Sequence, residues 1–308
     1  MEPEAVISIS SLSKKSRGRS GTFTRPMILD DITLEMQKGE VIGLIGPNGA
    51  GKTTLLKTLV GACQPDLGRV RVLSSLPDDP KIKNRIGFLP EEFIVDEFLT
   101  GWEVLRYQAR IRGLHWDRIE KRIVPMVEQF GMAHYLDVRS GRYSRGMKQT
   151  LGIVTALMHE PELILLDEPT TGLDPVVIRI LRGYIRQIHN EGRSVIISSH
   201  QLSELELLSD RVALVDGGVL KAMGRLSNLA AAGKRIRVTT GIKSPDRLGG
   251  KPDGWSVSVE GGMVVLSSAS PVALGPLLNL LESRDIDVVD IETRDSTLED
   301  IFFKYSSE

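Results

Sequence analysis

A five-residue apolar run, Val41-Ile42-Gly43-Leu44-Ile45, leads straight into Gly46-Pro47-Asn48-Gly49-Ala50-Gly51-Lys52-Thr53, and a helical pattern through Lys57 to Val60 follows at once. A run apolar at every position reads as a strand buried on both faces, the kind found in parallel sheets covered by helices. The turn after it satisfies G-x-x-x-x-G-K-[ST], in which glycines let backbone N–H groups close around phosphate oxygens. The helix N-terminus adds positive potential, Lys52 is placed to neutralise β and γ phosphates, and Thr53 to bind Mg²⁺. Thr54 is counted with this loop. A plain Gly-rich turn is the competing reading, and the strand-then-helix context argues against it.

Two more apolar runs, Leu163-Ile164-Leu165-Leu166 and Ser194-Val195-Ile196-Ile197, each follow a helical pattern. Alternation of this kind predicts a largely parallel sheet with covering helices. Residues 30–45 read as two strands, and Arg211 to Lys221 reads as a hairpin turning at Asp216-Gly217-Gly218. A mainly helical block is expected over about residues 92–158. Within it Asp117 and Glu120 form a capping-box pattern ahead of Ile123 and Val127, and Pro125 predicts a kink or a break. After Gly224 the texture changes to short alternating strands, a helix near Leu274 to Glu282 and a strand at Asp287 to Ile291, with Ser296 and Glu299 heading a final helix. The expected division is therefore an α/β domain over 1–224 and a small α+β domain over 225–308.

Length and composition narrow the function. At 308 residues the chain exceeds a usual single domain. Its formal net charge of −1 gives no basic excess, so no nucleic-acid partner is expected. The stretch Lys14-Lys15-Ser16-Arg17-Gly18-Arg19 reads as a solvated loop. No stretch approaches the ~18–20 consecutive apolar residues of a spanning helix, and the acidic start does not resemble a signal peptide, so a cytosolic location is expected. The lone Cys63 reads as a small buried residue.

Catalytic chemistry has two further candidates. The run Leu163 to Leu166 ends in Asp167-Glu168, adjacent carboxylates at a strand tip, which suits Asp167 to a metal ion and Glu168 to a base for an attacking water. Tyr143-Ser144-Arg145-Gly146-Met147-Lys148-Gln149 precedes a helical run, and Ser144 can cap that helix, whose N-terminus is again a phosphate-binding device.

Taken in order, these motifs resemble those of an ABC transporter nucleotide-binding subunit, over about residues 5–224. Gly46 to Thr53 is similar to the Walker A loop, Leu163 to Glu168 to the Walker B strand, and Tyr143 to Gln149 to the signature sequence. Thr171-Gly172-Leu173-Asp174 resembles the D-loop, and His200 the switch histidine, placed to hydrogen-bond the γ phosphate and hold the attacking water. The resemblance implies a P-loop NTPase core with a mainly parallel sheet, an antiparallel β portion and a helical subdomain, plus the small C-terminal domain. It also implies ATP and Mg²⁺, a head-to-tail homodimer in which Ser144 and Gly146 face the nucleotide of a second copy, and a separate transmembrane permease at the inner face of the cell membrane.

Some positions depart from the family pattern. Glu91 stands where a glutamine helps hold Mg²⁺, so an altered Mg²⁺ dependence is expected. Arg145 and Met147 replace a glycine and a glutamine of the signature. That variant, with Leu298-Glu299-Asp300-Ile301-Phe302 near the end, is similar to a subgroup of bacterial single-cassette subunits that pair with separate, often export-type, membrane proteins. Counting back from the loop places Phe23 where an aromatic stacks on adenine, with loop anchoring as the other reading. Phe93, Ile94, Val95, Phe98 and Leu99 either line a groove for a helix of the permease or fill the core of the helical block. Two rival functions are a soluble ABC-type ATPase, which usually carries coiled-coil insertions or tandem cassettes, and a regulatory module that uses ATP only as a dimerising ligand.

Overall fold

The computed structural model describes residues 5–16, 26–200, 205–225, 228–229, 235–250, 252–253, 255–268 and 274–294. Phe23, the Ser296–Glu299 cap and the Leu298–Phe302 pattern lie outside the described residues. The chain divides into two compact units, Met1–Met223 and Gly224–Glu308.

In the first unit, β1 (Ala5–Lys15), β2 (Met27–Gln37) and β4 (Leu67–Val72) form a three-stranded sheet in the order β2-β1-β4, antiparallel throughout. The second sheet has the order β5-β6-β7-β3-β8-β9, built from β5 (Ile86–Leu89), β6 (Leu163–Asp167), β7 (Ser194–Ser198), β3 (Val41–Ile45), β8 (Arg211–Asp216) and β9 (Val219–Gly224). Its pairs from β5 across to β8 are parallel. Every residue of β3, β6 and β7 is buried, as their unbroken apolar character requires.

Helix α1 (Lys52–Leu59) leaves the loop after β3 and packs between the two sheets. Leu55, Leu56 and Leu59 join one apolar cluster with Ile7, Ile9 and Ile32 on one side and Leu163, Leu165 and Ile196 on the other. A fully enclosed leucine such as Leu56 contributes about 1.5–3 kcal/mol, so this helix and the loop that opens it are held firmly. The hairpin from β8 to β9 turns at Gly217 and Gly218, both with positive φ, the conformation of a tight primed turn.

The helical block departs from expectation in two ways. After the short α2 (Pro80–Lys83) the next helix is α3 (Gly101–Ile111), so residues 92–100 are irregular. The capping box is at the head of α3. There the Thr100 hydroxyl accepts from the Glu103 N–H and the Glu103 carboxylate accepts from the Thr100 N–H. Helix α4 (Trp116–Gln129) instead begins at His115 without a side-chain cap, leaving Asp117 inside its first turn. Its entry is set by Trp116, which meets Trp102 edge-on at 6.0 Å and lies under the Arg106 guanidinium at 5.2 Å. Pro125 does not break α4. A proline inside a helix costs ~3 kcal/mol, and burial of Ile119, Ile123 and Val127 on one face, at about 1.5–3 kcal/mol each, outweighs that.

Two smaller corrections concern the surface. Lys14 and Lys15 are the end of β1 rather than a loop, with Lys14 paired to Asp66 at 3.2 Å. Cys63, just past α1, is half-buried rather than enclosed.

The second unit is a four-stranded antiparallel sheet, ordered β11-β12-β10-β13, from β10 (Arg235–Thr240), β11 (Ser256–Glu260), β12 (Met263–Ser268) and β13 (Val288–Arg294). A helix over Leu274–Ser283 covers it, placing Leu277 and Leu281 against Ile236, Val238, Trp255, Val264 and Leu266. Among the described residues no helix is long and apolar enough to cross a membrane.

Candidate active site

Strand β3 delivers the chain into a loop in which close packing requires glycine at 46 and 51. A Cβ at Gly46 would fall 2.1 Å from the Val215 carbonyl oxygen, and one at Gly51 2.8 Å from that of Ile28. Gly49 and Gly51 also have positive φ, 84° and 105°. Between them, Pro47, Asn48 and Ala50 complete the turn, closed by a 3.2 Å bond from the Ala50 N–H to the Pro47 carbonyl. Helix α1 starts on Gly51 with no side-chain cap, so its first-turn amides keep the donors that a helix N-terminus offers to phosphate.

Lys52, only 7% exposed, donates from Nζ to the Gly46 carbonyl at 2.6 Å and the Pro47 carbonyl at 3.2 Å. The same ammonium lies 3.7 Å from Glu168 Oε1. Thr54 lies in the first turn of α1, and its carbonyl accepts from the Thr58 hydroxyl.

The carboxylates come from the neighbouring strand tips. Parallel register sets Asp167 of β6 beside Ser198 of β7, and the chain then runs on to His200. Asp167 is fully buried; its Oδ1 accepts from the Ser198 hydroxyl at 2.6 Å, whereas its Oδ2 is enclosed without a hydrogen-bond partner among the described residues. Glu168 has φ 47°, a left-handed conformation uncommon outside glycine. Its N–H donates to the Ser198 hydroxyl at 2.9 Å and the Ser198 carbonyl at 3.2 Å, and Oε2 lies 2.7 Å from His200 Nδ1. A carboxylate oxygen can only accept there, so Nδ1 of His200 carries the proton. Glu168 Oε1 has no hydrogen-bond partner.

Lys52, Asp167, Glu168 and His200 are thus brought together. Thr53 and Glu91 line one cleft of about 960 Å³, together with Lys57, Arg145 and Lys148. An orphaned buried carboxylate oxygen, a hydroxyl and a second carboxylate are the hard oxygen donors that Mg²⁺ takes. Among the described residues no three His, Cys, Asp or Glu side chains form a self-sufficient cage, so a Mg²⁺ ion here has to draw further oxygens from phosphates and water.

The remaining candidates sit elsewhere. Ser144 caps α5 (Arg145–Leu157), accepting from the Met147 N–H at 3.2 Å, beside a Tyr143 phenol that burial pushes up and that donates to the Tyr135 carbonyl. Ser144, Gly146 and Asp174 line a second cavity of about 620 Å³. Gly146 lies so close to the D-loop that a Cβ would meet the Gly172 carbonyl oxygen at 2.4 Å. The Asp174 carboxylate is engaged as the cap of α6 (Pro175–Asn190), accepting from the Val176 and Val177 N–H groups. Of the apolar stretch, Ile94 and Phe98 are 81% and 78% exposed, which removes them from the core of the helical block.

Ser198 escaped the sequence reading of the site, as did the contact made by Gln149, the last residue of the Tyr143 to Gln149 motif. Ser198 joins both carboxylates, and the only local signal was its position at the end of a buried strand. Gln149, 4% exposed, donates from Nε2 to the Glu168 carbonyl at 3.3 Å, so α5 reaches the candidate base directly.

Residues 29–171 match the family described as ABC transporter. The chain is 38% identical over 203 residues to the ABC transporter ATP-binding protein NatA of Bacillus subtilis, covering 65% of this chain and 82% of that protein. It is 32% identical over 306 residues to the uncharacterized ABC transporter ATP-binding protein YdbJ of the same organism, covering 98% of this chain and 95% of the relative. A solved structure of the ATP binding subunit of an ABC transporter superimposes with a TM-score of 0.66 at 30% identity, over 73% of this chain and 92% of the other.

Proposed function

The chain belongs to the ABC transporter family as one of its ATP-binding, ATP-hydrolysing subunits, and from that premise we propose that two copies clamp ATP head to tail and drive a separate permease, in the direction of export, from the cytoplasmic face of the membrane. The observation that carries the reading is the meeting of Lys52, Asp167, Glu168 and His200 at adjacent strand tips, while Ser144 and Gly146 line a different cavity. A second copy brings the latter half to the former, so the nucleotide supplies much of the contact between subunits and its hydrolysis releases them.

In this mechanism the first-turn amides of α1 and the Lys52 ammonium hold the β and γ phosphates. Asp167 Oδ2, Thr53 and Glu91 would hold Mg²⁺, which would supply positive charge to the phosphate oxygens. Glu168 Oε1 takes the proton of the attacking water, and His200, bonded to Oε2, holds the carboxylate in place. Retention of ATP turnover by the purified chain separates this reading from an ATP-gated regulatory module, which would bind without hydrolysis.

Two experiments test its finer parts. A carboxylate at position 91 binds a divalent cation more strongly than an amide, so Glu91→Gln is expected to raise the Mg²⁺ concentration for half-maximal turnover by about 3- to 10-fold. An unchanged Mg²⁺ titration removes Glu91 from the metal site. Ile94 and Phe98 present apolar surface on the irregular segment after Glu91, and buried aromatic anchors carry ~2 kcal/mol or more at protein interfaces. Charge at either position, as in Phe98→Asp, should leave the ATPase rate of the isolated chain within about twofold and abolish its co-purification with a membrane protein. Undiminished co-purification would place the permease elsewhere.

A further inference from the structure

Asp167 is a fully buried carboxylate whose side chain has, among the described residues, a single hydrogen bond, the one from the Ser198 hydroxyl at 2.6 Å. That hydroxyl has one proton, given to Asp167, and its lone pair accepts the Glu168 N–H at 2.9 Å. One buried side chain therefore grips two consecutive residues of the site. It does so because the parallel register sets Ser198 opposite Asp167. The two grips have different consequences. Occupying Oδ1 leaves Oδ2 as the one oxygen of Asp167 without a partner. Tying down the Glu168 N–H helps hold a residue whose φ of 47° a non-glycine side chain resists.

We infer that Ser198 is a positioning residue shared by both carboxylates, reserving Asp167 Oδ2 for a divalent cation and holding Glu168 in its left-handed conformation. The inference rests on the reading that Mg²⁺ and ATP occupy this site, and it adds a residue that touches neither. Partners that orient a metal-binding carboxylate typically change metal affinity 10- to 100-fold when removed. A serine that merely filled space in β7 would be replaced by alanine at little cost to metal binding.

The test compares the full-length parent, Ser198→Ala and Ser198→Thr. Mn²⁺ serves as a paramagnetic probe in the presence of ATP, and ATP binding is measured separately in chelator. In Ser198→Ala the dissociation constant for Mn²⁺ should rise at least about tenfold. Its kcat should fall by a similar factor, and metal-free ATP affinity should stay within about twofold. Ser198→Thr restores the hydroxyl and should recover most of the Mn²⁺ affinity. Parental Mn²⁺ binding by Ser198→Ala overturns the inference, as does a threonine variant that melts like the parent yet binds Mn²⁺ no better than the alanine variant. A parent chain that fails to bind ATP at all would instead overturn the proposed function.

Discussion

Glutamine in place of Glu168 is expected to lower ATP turnover by roughly 10²- to 10⁴-fold, the range a positioned general base contributes, while ATP affinity stays within a few-fold of the parent. The two side chains have nearly the same volume, so the buried strand tip and its bonds to Ser198 survive. What is lost is the capacity to accept a proton at Oε1, which has no hydrogen-bond partner. The amide can still accept from His200 Nδ1 through its oxygen, and its NH₂ then faces the Lys52 ammonium, a poorer arrangement than the carboxylate made. Hydrolysis would slow and binding would persist. Because ATP itself joins the two copies in the proposed mechanism, the variant should also elute as a stable dimer in ATP on size exclusion and as a monomer without it. Steady-state turnover at the parental rate would remove Glu168 as the base.

The parts of this site that lie contiguous in the chain are those the sequence announces. The phosphate loop needs a strand, glycines without Cβ atoms and a helix start, and all three are written consecutively from Val41 to Leu59. Strands β3, β6 and β7 are equally legible, since burial on both faces leaves an apolar residue at every position. The Gly217-Gly218 turn announces itself through the φ it needs.

Legibility fails where the cause is distant in sequence. Strand β1 is rich in serine, and its pairing with β2 is interrupted by register shifts, so no clean alternation marks it; its place depends on partners contributed by β2 and β4. The Asp117–Glu120 pattern and Thr100–Glu103 look alike locally, and tertiary docking of Trp116 against Trp102 decided which became a cap. Ser198 carries no local signature beyond its place at the end of a buried strand, and Gln149, though it ends the Tyr143 to Gln149 motif, carries none for its contact with Glu168. One acquires its role through strand register and the other by reaching across from α5. The exposure of Ile94 and Phe98 is invisible in a short apolar run that, by periodicity alone, fits a core segment as well as a surface one.

Removal of the Lys52 charge is expected to weaken ATP binding by about two to three orders of magnitude. Hydrogen bonds to charged groups contribute ~1.5–3 kcal/mol each, and an ammonium shared between β and γ phosphates makes two; at ~1.4 kcal/mol per tenfold even modest bonds reach that range. The ammonium now donates to the Gly46 and Pro47 carbonyls and lies 3.7 Å from Glu168 Oε1. With three donors it can keep a loop carbonyl while meeting a phosphate, so nucleotide binding need not dismantle the loop. Truncation has a second effect. Lys52→Ala strands two loop carbonyls and takes the nearest cation from a buried carboxylate, and each unsatisfied buried group costs ~1–3 kcal/mol, so some affinity would be lost through a loosened scaffold. Lys52→Met leaves the same carbonyls unpaired but keeps the packed volume, so any loosening of its scaffold is limited to the lost donors and is read by its melting temperature. Calorimetric titration with ATP, run beside thermal melts of both variants, then reads charge and scaffold independently. Loss of ATP binding in a methionine variant that melts near the parent assigns the effect to charge, whereas affinity within about threefold of the parent in that variant would mean that the phosphates are held without this ammonium.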